Sequence, residues 1–309
     1  MKIKPMIRIG TRESALALYQ ARLVQQQLKA ISVESEIIEI TSDGDIDLKT
    51  PLYEMGIQSI FTKSLDIALL QSKIDVAVHS AKDIPTRLAR GLVMPAILKR
   101  GSSHDAIVFP SGTHLTDLSQ IKKIATSSLR RRCQWLHRFP DTQLENLRGN
   151  VQTRLAKLDA SDWDGAVFAH AALERLEITS HQYEILNWML PAPAQGAIGV
   201  VCRENDHAVL DVVSRLNDAL TSLCVNMERE FMSTLQGGCA VPIAALAIHT
   251  PAGINFKGNL FTMDAKKFAS VDLNFTTYEF HQAGKTAANL ILEQGGLEIV
   301  QSYRSGFQL

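Results

Sequence analysis

Two rhythms of hydrophobic and polar positions alternate along the first half of the chain. The run Met6 to Gly10, "MIRIG", has the look of a short half-buried strand, and beyond it Ala17, Ala21, Val24 and Leu28 recur at spacings of four, three and four, one face of a helix. Thr11 or Ser14 can cap that helix, with Glu13 close to its positive end. A strand running into a capped helix is an anion site, because the first N–H groups of the helix have no partners within it.

The same alternation recurs downstream. "ESEIIEI" (34–40) predicts a strand, "FTKSLDIALLQSK" (61–73) a helix and "IDVAVHS" (74–80) a short buried strand ending at polar residues. "IKKIATSS" (121–128) reads as strand into loop, "NVQTRLAKLD" (150–159) as a helix capped by Asn150, and "DGAVFAHAAL" (164–173) as strand again. This order predicts an α/β fold with mainly parallel sheets. In such sheets ligands gather at the carboxyl ends of strands, where "GTRES" (10–14), "HSAKD" (79–83) and "TSSLRRR" (126–132) fall.

Two segments suit chain crossings between lobes: Gly101 to Gly112, rich in Ser, Gly and His, and the stretch holding Pro191, Pro193 and Gly196. From about Thr221 the pattern becomes helix, a Gly-Gly-Cys loop, then strands such as "AALAIH" (244–249) and "INFKGNLFTM" (254–263), a small α+β domain. The predicted division is 1–100 with 198–218, then 101–197, then 219–309. No internal repeat is visible.

Composition narrows the chemistry. The 309 residues carry 32 Lys+Arg against 32 Asp+Glu, so no global field favours nucleic acid or an anionic membrane, and any anion-binding surface is local. The N-terminal "MKIKPMIRIG" is too soon interrupted to be a secretory signal, and no apolar run approaches the ~18 residues of a membrane span. The expectation is a cytoplasmic protein. Cys133, Cys202, Cys224 and Cys239 lie far apart without zinc-ligand spacing, so neither a metal site nor a disulfide framework is expected.

Arg12, Arg130, Arg131, Arg132, Arg148, Arg154 and Arg175 cluster at strand ends and helix starts. A single such arginine is as readily solvated surface charge. A convergent set of planar guanidinium forks suits a polycarboxylate or polyphosphate, and the chain has neither a phosphate-binding P-loop nor a dinucleotide fingerprint. Lys82 and Asp83 follow an apolar strand and precede Pro85; they form either a turn cap or a carboxylate held beside a cation for acid catalysis. Asp83 is the strongest single catalytic candidate. Cys133, Cys202 and Cys224 read as small buried hydrophobes. Cys239 differs, because Gly237 and Gly238 favour an exposed loop, and a nucleophile or covalent anchor fits it.

Six stretches in order, "IRIGTRESALAL", "DVAVHSAKDIPT", "TSSLRRRCQ", "LRGNVQTRLAKLD", "LPAPAQGAIGV" and "LQGGCAVPI", resemble the porphobilinogen deaminase family over most of the chain. The resemblance implies two lobes like those of periplasmic binding proteins with a cleft between them, plus the small C-terminal domain. It implies a hydroxymethylbilane synthase activity of porphyrin and heme biosynthesis: four porphobilinogen molecules join head to tail with loss of ammonia on a dipyrromethane primer, followed by hydrolysis to the linear tetrapyrrole. By the same resemblance Cys239 anchors the dipyrromethane through a thioether and Asp83 is the catalytic aspartate. Arg12, Lys82, Arg130, Arg131, Arg148, Arg154 and Arg175 bind substrate and cofactor carboxylates. Ser14, Thr126, Ser128 and Gln195 add neutral hydrogen bonds, with Ser80 and Asn150 in the same binding set. The implied partner is porphobilinogen, with no nucleic acid or membrane, and the implied state is a monomer.

The chain departs from the family's pattern in places. Ile57, Gln58 and Ser59 stand where the family's lid is glycine-rich and carries a lysine, although Lys63 is retained. Gln152 and Ala194 stand where glycines are common, and Val201 where glutamate is. These changes bear on rate, lid motion and chain length more than on cofactor attachment. Two alternatives accompany the enzyme: a degenerate, slow homologue, and a non-catalytic two-lobed binding protein for a polycarboxylate, which would leave Cys239 without a role.

Overall fold

The computed structural model describes residues 6–41, 62–113, 117–235, 241–276 and 280–306. Cys239 and the lid positions Ile57, Gln58 and Ser59 lie outside the described residues. In chain order, β1 (Ile7–Thr11), α1 (Ala15–Ala30), β2 (Ser35–Glu39), α2 (Lys63–Leu70), β3 (Val76–Ser80) and β4 (Leu92–Ile97) come first. Next are β5 (Asp105–Val108), β6 (Lys123–Ala125), α3 (Leu129–Arg138), β7 (Gln143–Glu145), α4 (Val151–Asp159), β8 (Gly165–Ala169), α5 (His170–Arg175) and β9 (Tyr183–Ile185). The last are β10 (Ile198–Arg203), α6 (His207–Ser214), α7 (Ala219–Thr234), β11 (Ile243–Thr250), β12 (Gly253–Phe261), β13 (Phe268–Phe275), α8 (Ala283–Ile291) and α9 (Leu297–Gly306).

Among the described residues the backbone separates into two compact units. The first takes the chain up to Gly101 and Gly196–Ser222, and the second takes Ser102–Gln195 and everything from Leu223. The first unit holds a five-stranded sheet in the order β2-β1-β3-β10-β4. The second holds another five-stranded sheet, β7-β6-β8-β5-β9, and the small C-terminal sheet β11-β12-β13. The architecture is α/β, with two sheet lobes and a separate C-terminal sheet domain.

The expectation of mainly parallel sheets is corrected. β1 runs parallel to β2 and β3, and β6 parallel to β7 and β8, but β10 is antiparallel to β3 and β4, β5 to β8 and β9, and the third sheet is antiparallel throughout. The reason lies in the connections. A helical crossover returns the chain to the same end of the sheet and yields parallel neighbours, whereas β10 and β5 each begin beside the last residue of a parallel strand, Ile198 against Ser80 and Asp105 against Ala169. They can only run back. The strand predicted over "DGAVFAHAAL" also stops at Ala169, and the alanine-rich remainder forms α5.

In the first unit the period of two is obeyed on both faces of the sheet. Ile7, Ile9, Val76, Val78, Ile198 and Val200 pack on one side with Ala21, Val24 and Leu28 of α1, and Ala77 and Val201 pack on the other with Leu65, Ala68 and Leu69 of α2. α1 buries the predicted stripe together with Gln20. The central sheet of the second unit closes over Ile107, Ile124, Trp135, Val167 and Leu186, and the C-terminal sheet over Phe231, Phe256, Ala287 and Ile291. Cys133, Cys202 and Cys224 are buried and unbridged. Burial pushes the Cys133 and Cys202 thiols up to about 12.

Candidate active site

In the first unit β1 is followed in space by β2 on one side and by β3 on the other, so the sheet order reverses between β1 and β3. That switch point opens a crevice at the carboxyl ends of both strands. A small pocket lies there, lined by Arg12, Ala17, Gln20, His79, Ser80 and Asp83. Arg12 follows β1, and Ser14 caps α1 by accepting the Ala17 N–H at 3.4 Å. Gln20 Nε2 donates to Ser80 Oγ at 2.9 Å. After Ser80 the chain turns in a single 3-10 turn, Ala81–Asp83, which carries Lys82 and Asp83 partly exposed.

The sequence offers Thr11 only as a helix cap and assigns no role to His79, and both are nearly inaccessible. His79 Nε2 and Thr11 Oγ1 are buried without hydrogen-bond partners. Burial, reinforced by the Arg12 charge, lowers the His79 pKa to about 3, so the ring is neutral at physiological pH. Unpaired buried polar atoms beside an arginine and a carboxylate suit a polar ligand. The signal in the sequence was faint: a histidine inside the apolar run "VAVHS".

The second unit repeats the device. Its sheet order reverses between β6 and β8, and the residues after β6 are Thr126, Ser127 and Ser128. Ser128 caps α3 by accepting the Arg131 N–H at 3.5 Å and donates its own N–H to Thr126 Oγ1 at 3.3 Å. Arg130 and Arg131 point at a group that sequence reasoning missed, the fully buried Asp105 at the start of β5. Arg130 Nη1 lies 2.7 Å from Asp105 Oδ2, and Arg131 Nε and Nη2 donate to Oδ1 at 3.0 and 2.7 Å. Gln195 Nε2 adds a bond of 2.9 Å to Oδ1. Burial alone would raise the Asp105 carboxyl, but the two guanidinium charges and the Arg130 and Gln195 hydrogen bonds hold it well below the usual carboxylate range.

Two guanidinium charges against one carboxylate leave this cluster with a net charge of one positive unit, so it still attracts an anion. The sequence signal for Asp105 was a charged residue opening an otherwise apolar strand, "DAIV".

A third group of predicted residues meets at the start of α4. Asn150 caps the helix, its Oδ1 accepting both the N–H and the hydroxyl of Thr153 at 2.9 Å. Arg154 Nε donates to the Gly149 carbonyl at 2.7 Å and Lys157 Nζ to the Arg148 carbonyl at 3.1 Å, which fixes the turn carrying the buried Arg148. Gly149 has φ of 114°, and a Cβ there would fall 2.7 Å from the Thr153 side chain, so only glycine fits. Arg175 ends α5, partly exposed.

The departure at Ala194 has a structural cost. Its φ is 64°, the left-handed region glycine favours, and its N–H is tied at 2.6 Å to the fully buried Glu228, whose other oxygen accepts the Ala247 N–H at 2.8 Å. That clamp holds the turn preceding Gln195 in a conformation alanine resists.

These arrangements can do two kinds of work. Guanidinium groups and capped helix starts bind carboxylates, and Asp83 beside Arg12 can accept an N–H or take up a positive charge. The residues therefore fit a ligand with several carboxylates and N–H groups. The protein is a two-unit α/β fold in which each unit gathers arginine and capped helix starts at the carboxyl ends of its own parallel strands.

Comparison with known proteins narrows the class. Residues 7–211 match the family described as "Porphobilinogen deaminase, dipyromethane cofactor binding domain", and residues 222–293 match "Porphobilinogen deaminase, C-terminal domain". The chain is 40% identical over 298 residues to a porphobilinogen deaminase of Syntrophotalea carbinolica, covering 95% of each chain. It is 40% identical over 299 residues to the chloroplastic porphobilinogen deaminase of Oryza sativa subsp. japonica, covering 94% of this chain and 81% of the relative. Among solved structures, an ancestral cationic amino acid solute binding protein superposes with a TM-score of 0.42 and 11% identity over 69% of this chain and 88% of its own, too loosely to carry an argument. The chain belongs to the porphobilinogen deaminase family.

Proposed function

We propose that this protein is a hydroxymethylbilane synthase, a transferase that condenses four porphobilinogen molecules head to tail with release of ammonia and frees the linear tetrapyrrole by hydrolysis. The observation that carries this reading is the match of both family domains to a chain whose first switch point holds Asp83 and Arg12 in one pocket.

The division of labour follows from chemistry. Each condensation breaks the aminomethyl C–N bond of one substrate, forms a C–C bond to the next pyrrole, and releases that pyrrole's ring proton, which balances the proton the amine takes up as it leaves as ammonia. Positive charge develops on pyrrole nitrogen along the way. Asp83, accepting pyrrole N–H bonds, stabilises that charge and helps move the proton to the departing amine, which is worth roughly 10² to 10⁴ in rate. His79 is neutral and serves as a hydrogen-bonding wall rather than a competing cation.

Acetate and propionate side chains add two negative charges per pyrrole. Arg12, Lys82, Arg148, Arg154 and Arg175 bind them, with the positive Arg130–Arg131–Asp105 cluster, and Ser14, Ser80, Thr126, Ser128, Asn150 and Gln195 supply neutral bonds. The dipyrromethane primer, attached as a thioether to Cys239, supplies the free pyrrole carbon to which substrate is added. The three-domain division 1–100 with 198–218, 101–197 and 219–309, with a monomeric and cytoplasmic state, completes the reading. The division is supported by three sheets with separate cores.

Intact-mass measurement of the purified protein beside Cys239→Ser tests the anchor. A dipyrromethane increment on the wild type and its absence from the variant are expected. An unmodified wild type that stays unmodified with porphobilinogen contradicts the reading.

A further inference from the structure

The stretch "LPAPAQ" (190–195), between β9 and β10, touches the Arg130–Arg131–Asp105 cluster at both of its ends. The Leu190 carbonyl accepts from Arg130 Nη1 at 2.7 Å and from Gln134 Nε2 at 2.9 Å. Gln195 Nε2 donates to Asp105 Oδ1 and to the Ser103 carbonyl, each at 2.9 Å. Between these ends lies one tight turn, closed by the Gln195 N–H donating to the Ala192 carbonyl at 3.0 Å.

Pro193 and Ala194 are the central residues of that turn. Proline suits the first of them in a type I or a type II turn, because both take φ near −60° there. The two types differ in the peptide joining the central residues, which is flipped over, and in the second residue, which is right-handed in type I and has a positive φ in type II. Ala194, with φ of 64°, is in the type II form, where glycine is at ease and alanine is not. Glu228 of α7 decides between them. It is fully buried, accepts the Ala194 N–H at 2.6 Å on one oxygen and accepts the Ala247 N–H at 2.8 Å on the other. Flipping the peptide would take that N–H away and turn the Pro193 carbonyl oxygen toward a second acceptor, which is costly inside the protein.

We propose that Glu228 is a positioning residue for the carboxylate-binding cluster. By locking the Pro193–Ala194 peptide it keeps Leu190 on Arg130 and Gln195 on Asp105, and so sets how tightly the two arginines take a substrate carboxylate. The inference rests on the porphobilinogen reading for its substrate. Glu228 acts on binding rather than on the chemical step.

Steady-state kinetics with porphobilinogen, together with hydrogen exchange of residues 190–195, test this on the full-length protein. Glu228→Met keeps the length of the side chain and removes both acceptors; KM is expected to rise about tenfold with kcat within about twofold, and exchange of the turn to quicken. Ala194→Gly is expected to leave the wild-type KM unchanged and, added to Glu228→Met, to bring KM and exchange back, since glycine keeps a type II turn without the clamp. A role in stability alone gives another pattern, because the lost Ala247 bond lowers the melting temperature and glycine at 194 does not restore it. Glu228→Gln, which retains one acceptor, is expected to show a smaller rise in KM that Ala194→Gly also reverses, and it serves where the methionine variant fails to fold. The proposal is overturned by an unchanged KM, by a loss confined to kcat, by unchanged exchange of the turn, or by a raised KM that Ala194→Gly leaves in place, which would assign the effect to the other contacts of Glu228. A wild type without turnover would defeat the synthase reading instead, and the exchange comparison would still decide the clamp.

Discussion

The two switch points are the same piece of topology carrying opposite chemistry. Strand register equates Ile9 with Ile124 and Gly10 with Ala125, and so Thr11 with Thr126, both buried where β1 and β6 end. Counting along β3 and β8 equates His79 with Phe168 and Ser80 with Ala169. In the first unit the carboxylate comes from the turn after β3, as Asp83, partly exposed and able to meet a ligand. In the second it comes from the antiparallel strand beside β8, as Asp105, wholly buried and committed to Arg130 and Arg131. One carboxylate stays partly exposed; the other is tied to two arginines. A buried carboxylate shared by two guanidinium groups is not by itself exceptional, since Asp75 of the first unit pairs with Arg8 and Arg203 at the opposite end of its sheet. What distinguishes Asp105 is its place at the carboxyl ends.

The sharpest way to break the comparison is to exchange the carboxylates' fates. Asp83→Asn is expected to lower condensation by about 10² to 10⁴ while leaving the circular dichroism spectrum and melting curve unchanged. Near-normal turnover would remove Asp83 from the mechanism. Asp105→Asn is expected to do the reverse first, destabilising the second unit by about 3–5 kcal/mol in denaturant titrations, because two buried guanidinium groups lose their counter-charge. Replacing Arg131 with Met in the same chain should recover part of that loss, and strict additivity of the two changes would argue against the cluster.

Acid separates the units more gently. The folded pKa of His79, about 3, lies below its unfolded value, so its contribution is complete above about pH 6.5 and is lost as pH falls toward the folded value, at up to about 1.4 kcal/mol per pH unit. The Asp105 carboxyl is also depressed, but its contribution is present above about pH 3.9 and is lost only below that. Hydrogen exchange between about pH 6 and 4.5 should therefore show β1 and β3 loosening before β6 and β8. His79→Phe, which copies the second unit, is expected to flatten the difference, and an unchanged slope would show that His79 is not its source. The smallest effect belongs to the caps: Asn150→Ala is expected to cost about 1 kcal/mol of stability in thermal melts.

Much of this was legible in the sequence. The helix stripe of α1 and the caps Ser14 and Asn150 follow from periodicity and local backbone chemistry, which act over a few residues. Asp105, His79 and the antiparallel strands β5 and β10 were not legible. Each depends on a partner far along the chain: Asp105 meets Gln195 across 90 positions, and β10 pairs with β3 across the whole of Ser102–Gln195. The sequence leads to the expectation that Arg130 and Arg131 bind ligand carboxylates, but nothing local reveals that the protein itself supplies Asp105 to them. Ala194 illustrates the converse, since its strain is visible only once the backbone shows a positive φ at a position where the family commonly has glycine.

The central claim is that this chain condenses porphobilinogen with Asp83 handling the developing charge. Ammonia release and tetrapyrrole formation, followed together after adding porphobilinogen to the wild type and to Asp83→Asn, test it most directly. The account predicts release of ammonia with formation of hydroxymethylbilane by the wild type and loss of both in the variant. A cofactor-loaded wild type that releases no ammonia, or a variant that matches it, would contradict the account.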